Sequence, residues 1–199
     1  MPEDKLAEQT DTQLMNRIAS GETIYLGELY RRHNRKLKAA LYHWVPEMTQ
    51  EDIEDVCQEV FIALGKTAKN YKDISKFKSW LYKIASNKAL SWRRNTAVRR
   101  RLFKMYTSNK NIESDSVAAS RADTTSMRQV AWQMLTKLPY EQRQVLWLHL
   151  VEGFDGDEIA ETMGINRSTV YSRINRARNK LMSDKNATLW KNAMNKDRQ

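Results

Sequence analysis

Thr49-Gln50-Glu51-Asp52-Ile53-Glu54-Asp55-Val56-Cys57-Gln58-Glu59-Val60-Phe61-Ile62-Ala63-Leu64-Gly65 is the stretch that decides the fold. Thr49 with Asp52 three places on forms a capping box with Asp at its fourth position, which starts a helix by satisfying its first amides. Ile53, Val56, Val60, Phe61 and Leu64 then recur at the 3, 4, 1 and 3 spacings of a buried helical stripe. Gly65 predicts the end of the helix. Asp55, Gln58 and Glu59 fall on the opposite side, flanked by Glu51 and Asp52, and no Lys or Arg lies between Glu47 and Gly65 to neutralise them. The helix dipole accounts for carboxylates in the first turn, but Asp55 and Glu59 lie beyond its reach. A basic partner would relieve their self-repulsion.

The rest of the chain agrees with helices. Among 199 residues, 41% are hydrophobic, and only 6 Gly and 3 Pro interrupt them, so the predicted fold class is all-α. Asp11 can cap a short helix through Ala19, ended by Gly21, and a longer one is expected from Glu22 to Val45, stopped by Pro46. Cys57 alone forms no internal disulfide, and with only 3 His no zinc spacing exists, so a thiol packed as a small apolar group is expected. The start of the chain lacks a signal peptide's basic and apolar runs, and no run reaches transmembrane length, which predicts a cytoplasmic protein without membrane insertion.

Charge is unevenly spread. Residues 1–64 hold 7 basic and 12 acidic side chains, residues 65–110 hold 14 and 1, and residues 111–199 hold 13 and 11. The middle block exceeds the whole surplus of +10. Solubilising surfaces mix both signs, so this block points to phosphates. After a polar loop around Tyr71, a second helix runs from Phe77 to Arg94 with Phe77, Trp80, Leu81, Ile84 and Ala85 on one face. Its other sides carry Lys78, Lys83, Asn87, Arg93 and Arg94, cations for a backbone beside rings that could stack on bases.

From Thr107 the periodicity is lost among Ser, Thr and Asn, so residues 107–125 read as a flexible linker between helical domains at 12–106 and 126–184. The second domain opens with Met127, Val130, Met134 and Leu135, breaks at Leu138-Pro139, and continues through Val145, Leu146, Leu148 and Leu150 to Gly153. Ile159-Ala160, Met163-Gly164-Ile165, Val170 and Ile174 have helix-turn-helix spacing. On the last helix, to about Asp184, Val170, Ile174, Ala177 and Leu181 face inward. Ser168, Tyr171, Ser172, Asn175 and Arg176 face out as donors and acceptors suited to base edges, while Arg167, Arg173, Arg178 and Lys180 suit phosphates.

Both halves together resemble the bacterial sigma factor family of RNA polymerase, in its small two-domain extracytoplasmic-function form. The resemblance lies in Asp52-x-x-Asp55-Val56-x-Gln58-Glu59-Val60-Phe61, Phe77-x-x-Trp80-Leu81-x-x-Ile84-Ala85-x-Asn87, Glu158-Ile159-Ala160, Gly164-Ile165 and Thr169-Val170-x-Ser172-Arg173-Ile174-x-Arg176. It implies that Asp52, Asp55, Gln58 and Glu59 dock on the clamp helices of the largest polymerase subunit. It implies that Tyr71, Lys76, Lys83, Asn87, Arg93 and Arg94 meet the minus-ten element, with Asn87 reading a flipped base and Trp80 packed in the core. The last helix, through Arg167, Ser168, Thr169, Tyr171, Ser172, Arg173, Asn175 and Arg176, is then the reader of the minus-thirty-five element. Tyr171 departs from the Arg or Lys common in that family. The resemblance further implies an anti-sigma partner, promoter DNA as ligand, no cofactor and no enzymatic activity. A stand-alone helix-turn-helix regulator would explain residues 138–182 but leave the acidic and basic helices without a task. An enzyme finds no nucleophile–base pair, Gly-rich phosphate loop or metal cluster in the sequence.

Overall fold

The computed structural model describes residues 8–71, 76–107 and 134–183, and every regular element among them is helical. They fall into two compact units. Met127, Val130, Asp184 and the expected linker beyond Thr107 lie outside the described residues.

In the first unit, α1 (Asp11–Ala19) is capped by Thr10, one residue earlier than expected. The Thr10 hydroxyl accepts from the Gln13 amide at 3.2 Å, and the Gln13 side chain accepts from the Thr10 amide at 2.7 Å. Asp11 is not the cap because its carboxylate is engaged elsewhere: Oδ1 lies 3.1 Å from Arg32 and Oδ2 2.8 Å from the His33 ring. Gly21 turns the chain at φ 103°, a conformation costly for residues with a Cβ. The helix expected from Glu22 begins as a 3-10 turn, Thr23–Tyr25, before α2 (Leu26–Trp44). Arg17 lies over the Tyr25 ring, 4.7 Å from its centroid, and donates to its hydroxyl.

Helix α3 (Gln50–Thr67) has the predicted Thr49–Asp52 capping box. Ile53, Val56, Cys57, Val60, Phe61 and Leu64 are buried, and each such aliphatic or aromatic side chain contributes about 1.5–3 kcal/mol by leaving water. Burial pushes the Cys57 thiol up to about 11, so it is a packed apolar group and no nucleophile. Gly65 does not end this helix; two more residues follow it. A Cβ there would lie 3.2 Å from Leu26 Cδ2, so Gly65 is small because the start of α2 approaches it. A 3-10 turn, Ala68–Asn70, leads to Tyr71.

Helix α4 (Phe77–Thr107) is far longer than the segment expected to end at Arg94. At 1.5 Å per residue it reaches about 46 Å. Its buried face is Phe77, Leu81, Tyr82, Ala85 and Ala89, packed largely on α3. The Tyr30 ring meets Phe61, and His33 meets Phe77, each at 5.0 Å between centroids. Residues 97–103 are exposed throughout, with Val98, Leu102 and Phe103 among them and Met105 beyond.

The second unit opens on Met134 and Leu138, which cluster with Leu146, Ala177 and Leu181. Pro139 stands at the N-cap of α5 (Tyr140–Leu150), where its missing amide costs nothing. Asp155 caps α6 (Gly156–Met163), accepting from the Asp157 and Glu158 amides at 2.9 and 2.8 Å. Gly164, at φ 63°, ends α6 in the left-handed conformation, and α7 (Arg167–Met182) follows after two residues. Val170, Ile174, Ala177 and Leu181 are its buried face, against α5 and α6. The corner residue Ile165 is half-buried, and its amide returns to the Ala160 carbonyl at 3.0 Å. The second unit is thus a helix-turn-helix domain.

Arg32 is the tie between α1 and α2, donating to the Gln9 carbonyl, Asp11 and Glu28 at 2.7, 3.1 and 2.6 Å. Hydrogen bonds from Arg31, outweighing burial and joined by those from Arg32, lower Glu28 to about 2. Burial works to raise Asp11, but contacts to His33 and Arg32 prevail and lower it. A carboxylate depressed in the folded state adds stability that is present above its ordinary pKa and lost as pH falls toward the folded one. Thermal melting of the protein should therefore weaken as pH falls from 4.5 toward about 2. Arg32→Met should cost about 1–3 kcal/mol at neutral pH and flatten that acid limb; melting identical to the parent protein would contradict this role.

Candidate protein- and nucleic-acid-binding surfaces

The capping box that starts α3 sets which of its carboxylates face outward. Asp52 is half-buried: it accepts from the Thr49 amide and hydroxyl, each at 2.8 Å, and from the Trp92 indole N–H at 3.0 Å. Burial works to raise its pKa, yet these hydrogen bonds and the field of Arg99 lower it. Glu51, Asp55 and Gln58 are exposed. Glu59 is exposed too, but Lys88 of α4 reaches it at 3.0 Å, so the acidic face is not wholly unneutralised. Glu54 is held by Gln50 at 2.9 Å and lies 3.7 Å from Lys38. Ile62, 53% exposed, follows Gln58 by one helical turn on this face.

The basic surface of α4 faces away from its α3-packed stripe. Lys83, Asn87 and Arg94, four and seven residues apart, stand on one exposed line. Lys76, immediately before the helix, is exposed, whereas Arg93 is half-buried. Tyr71 is half-buried, with its hydroxyl 3.2 Å from Thr12 Oγ1 and its ring centroid 5.2 Å from Trp80. Trp80 is itself half-buried, so it lies at the margin of the core and supports Tyr71. Sequence reasoning missed Lys88 and the bond from Trp92 to Asp52. Each pair is separated by dozens of residues, and only the packing of α3 on α4 brings them together.

On α7, Ser168, Asn175 and Arg176 are exposed, as are Arg178 and Lys180. Thr169, Ser172 and Arg173 are half-buried, and the Ser172 hydroxyl donates to the Thr169 carbonyl at 3.3 Å. Arg167 is tied to Asp157 at 3.0 Å. Tyr171 does not project freely, because its ring lies against Gly156. An amphipathic helix presenting amide, hydroxyl and guanidinium groups on its open side has the donors and acceptors that a major groove accepts. Among the described residues no group of His, Cys, Asp and Glu could hold a metal ion, and no helix is long and apolar enough to cross a membrane.

Comparison with known proteins matches residues 29–99 to Sigma-70 region 2 and residues 128–181 to Sigma-70, region 4. The chain is 32% identical to the RNA polymerase sigma factor NccH of Alcaligenes xylosoxydans xylosoxydans, over 86% of this chain and 92% of that protein. It is 30% identical to the ECF RNA polymerase sigma-E factor of Haemophilus influenzae, over 87% and 94%. Among solved structures it is similar to CnrH in complex with the cytosolic domain of CnrY, with a TM-score of 0.62 and 26% identity over 87% of this chain and 95% of that one. The fold is also that of the sigma factor RpoE from Bartonella quintana, solved with the anti-sigma factor NepR, with a TM-score of 0.60 and 23% identity over 83% and 96%.

The hydrogen bond from Trp92 to Asp52 gives a direct test of the α3–α4 pairing. Trp92→Phe keeps the ring and removes the donor to a charged acceptor, which should cost about 1–2 kcal/mol in denaturant unfolding. Asp52→Asn added to Trp92→Phe should then cost less than it does alone; full additivity would show that the bond contributes nothing.

Proposed function

The chain belongs to the sigma-70 family, in its extracytoplasmic-function branch, and on that premise we propose a division of labour among the surfaces described above. As a sigma factor it binds core RNA polymerase and directs it to promoters. In the proposed division Asp55, Gln58 and Glu59 on the open side of α3 meet the clamp helices of the largest polymerase subunit, with Asp52 shaping that face through its cap. Lys76, Lys83, Asn87 and Arg94 on the open side of α4, with Tyr71 and Arg93 beside them, hold the melted minus-ten strand. Opening a duplex costs unstacking energy, and trapping an extruded base repays it. The outward face of α7 reads the minus-thirty-five element.

One observation carries this reading: within the first unit α3 leaves Asp55 and Gln58 exposed while α4 lines up Lys83, Asn87 and Arg94 on its own open side. Opposite charges on two packed helices serve two partners of opposite charge. The domain boundaries at 12–106 and 126–184, with 107–125 joining them, belong to the same proposal. So do a cytoplasmic location, beside polymerase and chromosome, and the absence of an enzymatic activity of its own. A similar fold has been solved bound to an anti-sigma factor, which supports an anti-sigma partner for this chain too. In vitro transcription with purified core polymerase and a pool of random promoters tests the whole reading: transcripts that depend on this protein and share two sequence elements are expected.

Reversing the acidic face, Asp55→Lys with Glu59→Lys, should weaken association with core polymerase by about 100-fold or more, because like charges brought together cost several kcal/mol. The melting temperature should barely move; undiminished co-purification would sink the docking assignment. Asn87→Ala should lower promoter opening about tenfold, as loss of one base contact does, with core binding unchanged. Permanganate footprinting and co-purification read the two effects separately, and an equal loss in both would exclude Asn87 as a base reader.

A further inference from the structure

The first turn of α6 and the outward face of α7 meet in a cluster of four side chains. Gly156 is buried at the start of α6. Its backbone does not require glycine, since the positive-φ glycines are Gly21, Gly153 and Gly164. The space does: a Cβ at Gly156 would stand 2.8 Å from Tyr171 Oη, 2.9 Å from Cζ and 3.0 Å from Cε2. The Tyr171 ring therefore lies back on bare backbone while keeping 44% of its surface exposed. One turn earlier on α7, the Arg167 guanidinium sits 5.6 Å from the Tyr171 ring centroid, with Nη2 3.5 Å from the hydroxyl. Its Nη1 reaches Asp157 Oδ2 at 3.0 Å. Two neighbouring residues of α6 thus hold two neighbouring side chains of α7.

We propose that Gly156 and Asp157 are positioning residues for promoter recognition. Gly156 leaves the space in which Tyr171 lies folded onto α6, and Asp157 holds Arg167 beside it. The open part of α7 that meets base edges is then centred on Ser168, Asn175 and Arg176, and Arg167 is withheld from the phosphates. The inference rests on the assignment of α7 to the upstream element. Asp157 and Arg167 are 67% and 60% exposed in their side chains, and a pair so wetted biases a geometry without locking it. A Cβ at position 156 meets the far end of an exposed side chain, so Gly156→Ala displaces the ring outward and leaves the fold intact. Removing the charge of Asp157 releases Arg167 to a phosphate, which displaces one more counterion.

The full chain, assembled with core polymerase, is presented with duplexes randomised across the upstream element. Gly156→Ala should change base preference by about three- to tenfold at the same positions as Tyr171→Ala, with core binding unaltered. Asp157→Asn, a surface change that leaves the core untouched, should keep the ranking of sequences and steepen the salt dependence of log Kd by about 0.9. Adding Arg167→Gln should cancel that extra slope. Unchanged preference in Gly156→Ala, while Arg176→Ala shifts its own position, would overturn the role of Gly156 and leave the upstream assignment standing. An unchanged slope in Asp157→Asn would overturn the role of Asp157. If Arg176→Ala also leaves every preference intact, the upstream assignment falls together with the positioning proposal.

Discussion

The packing of α3 on α4 is the constraint from which the first unit follows. Each helix has one apolar stripe and must bury it, so each spends that stripe on the inside and offers only what remains. Asp52 closes this arrangement chemically, since one carboxylate both caps α3 and accepts the indole proton of Trp92 from α4. Partners rise along α3 from Asp52 to Glu59 as they fall along α4 from Trp92 to Lys88, so the two helices run antiparallel. The acidic and basic surfaces are therefore carried on one packed pair, and neither can be reoriented without the other.

Much of this was legible in the chain. The Thr49–Asp52 cap and the stripe from Ile53 to Leu64 are local patterns, set by side-chain reach and helical period, and the structure has both. The misplacements are equally physical. Gly65 reads as a stop because glycine commonly ends helices, yet here it makes room for Leu26 from another element. Asp11 reads as a cap because its oxygen could serve, yet Arg32 and His33 draw it away and leave Thr10 the task. In each case a distant residue decided, and distance along the chain is what a single sequence conceals.

The second unit shows the same division. Its turn, its glycines and the inward line of Val170, Ile174, Ala177 and Leu181 follow from spacing alone. The outward side was legible only as a set of residue types. That Tyr171 lies on Gly156, that Arg167 is tied to Asp157, and that Ser172 bonds back to its own helix divides the set into groups held by the protein and groups open to a ligand. Chemistry named the surface; tertiary contact decided how much of it is available.

The distal part of α4 carries a thermodynamic consequence. From residue 97 to Phe103 its side chains are exposed, so little tertiary burial offsets the backbone entropy that those turns lose. A helix in that position keeps its shape by continuing a helix already nucleated and packed, which removes the costly first turn. Its local opening energy must then decline steadily from the Trp92 contact toward Thr107, and amide exchange along α4 would trace that gradient. The packed half behaves as an anchored base and the far half as a spring end, ordered by continuity and cheap to bend or unwind.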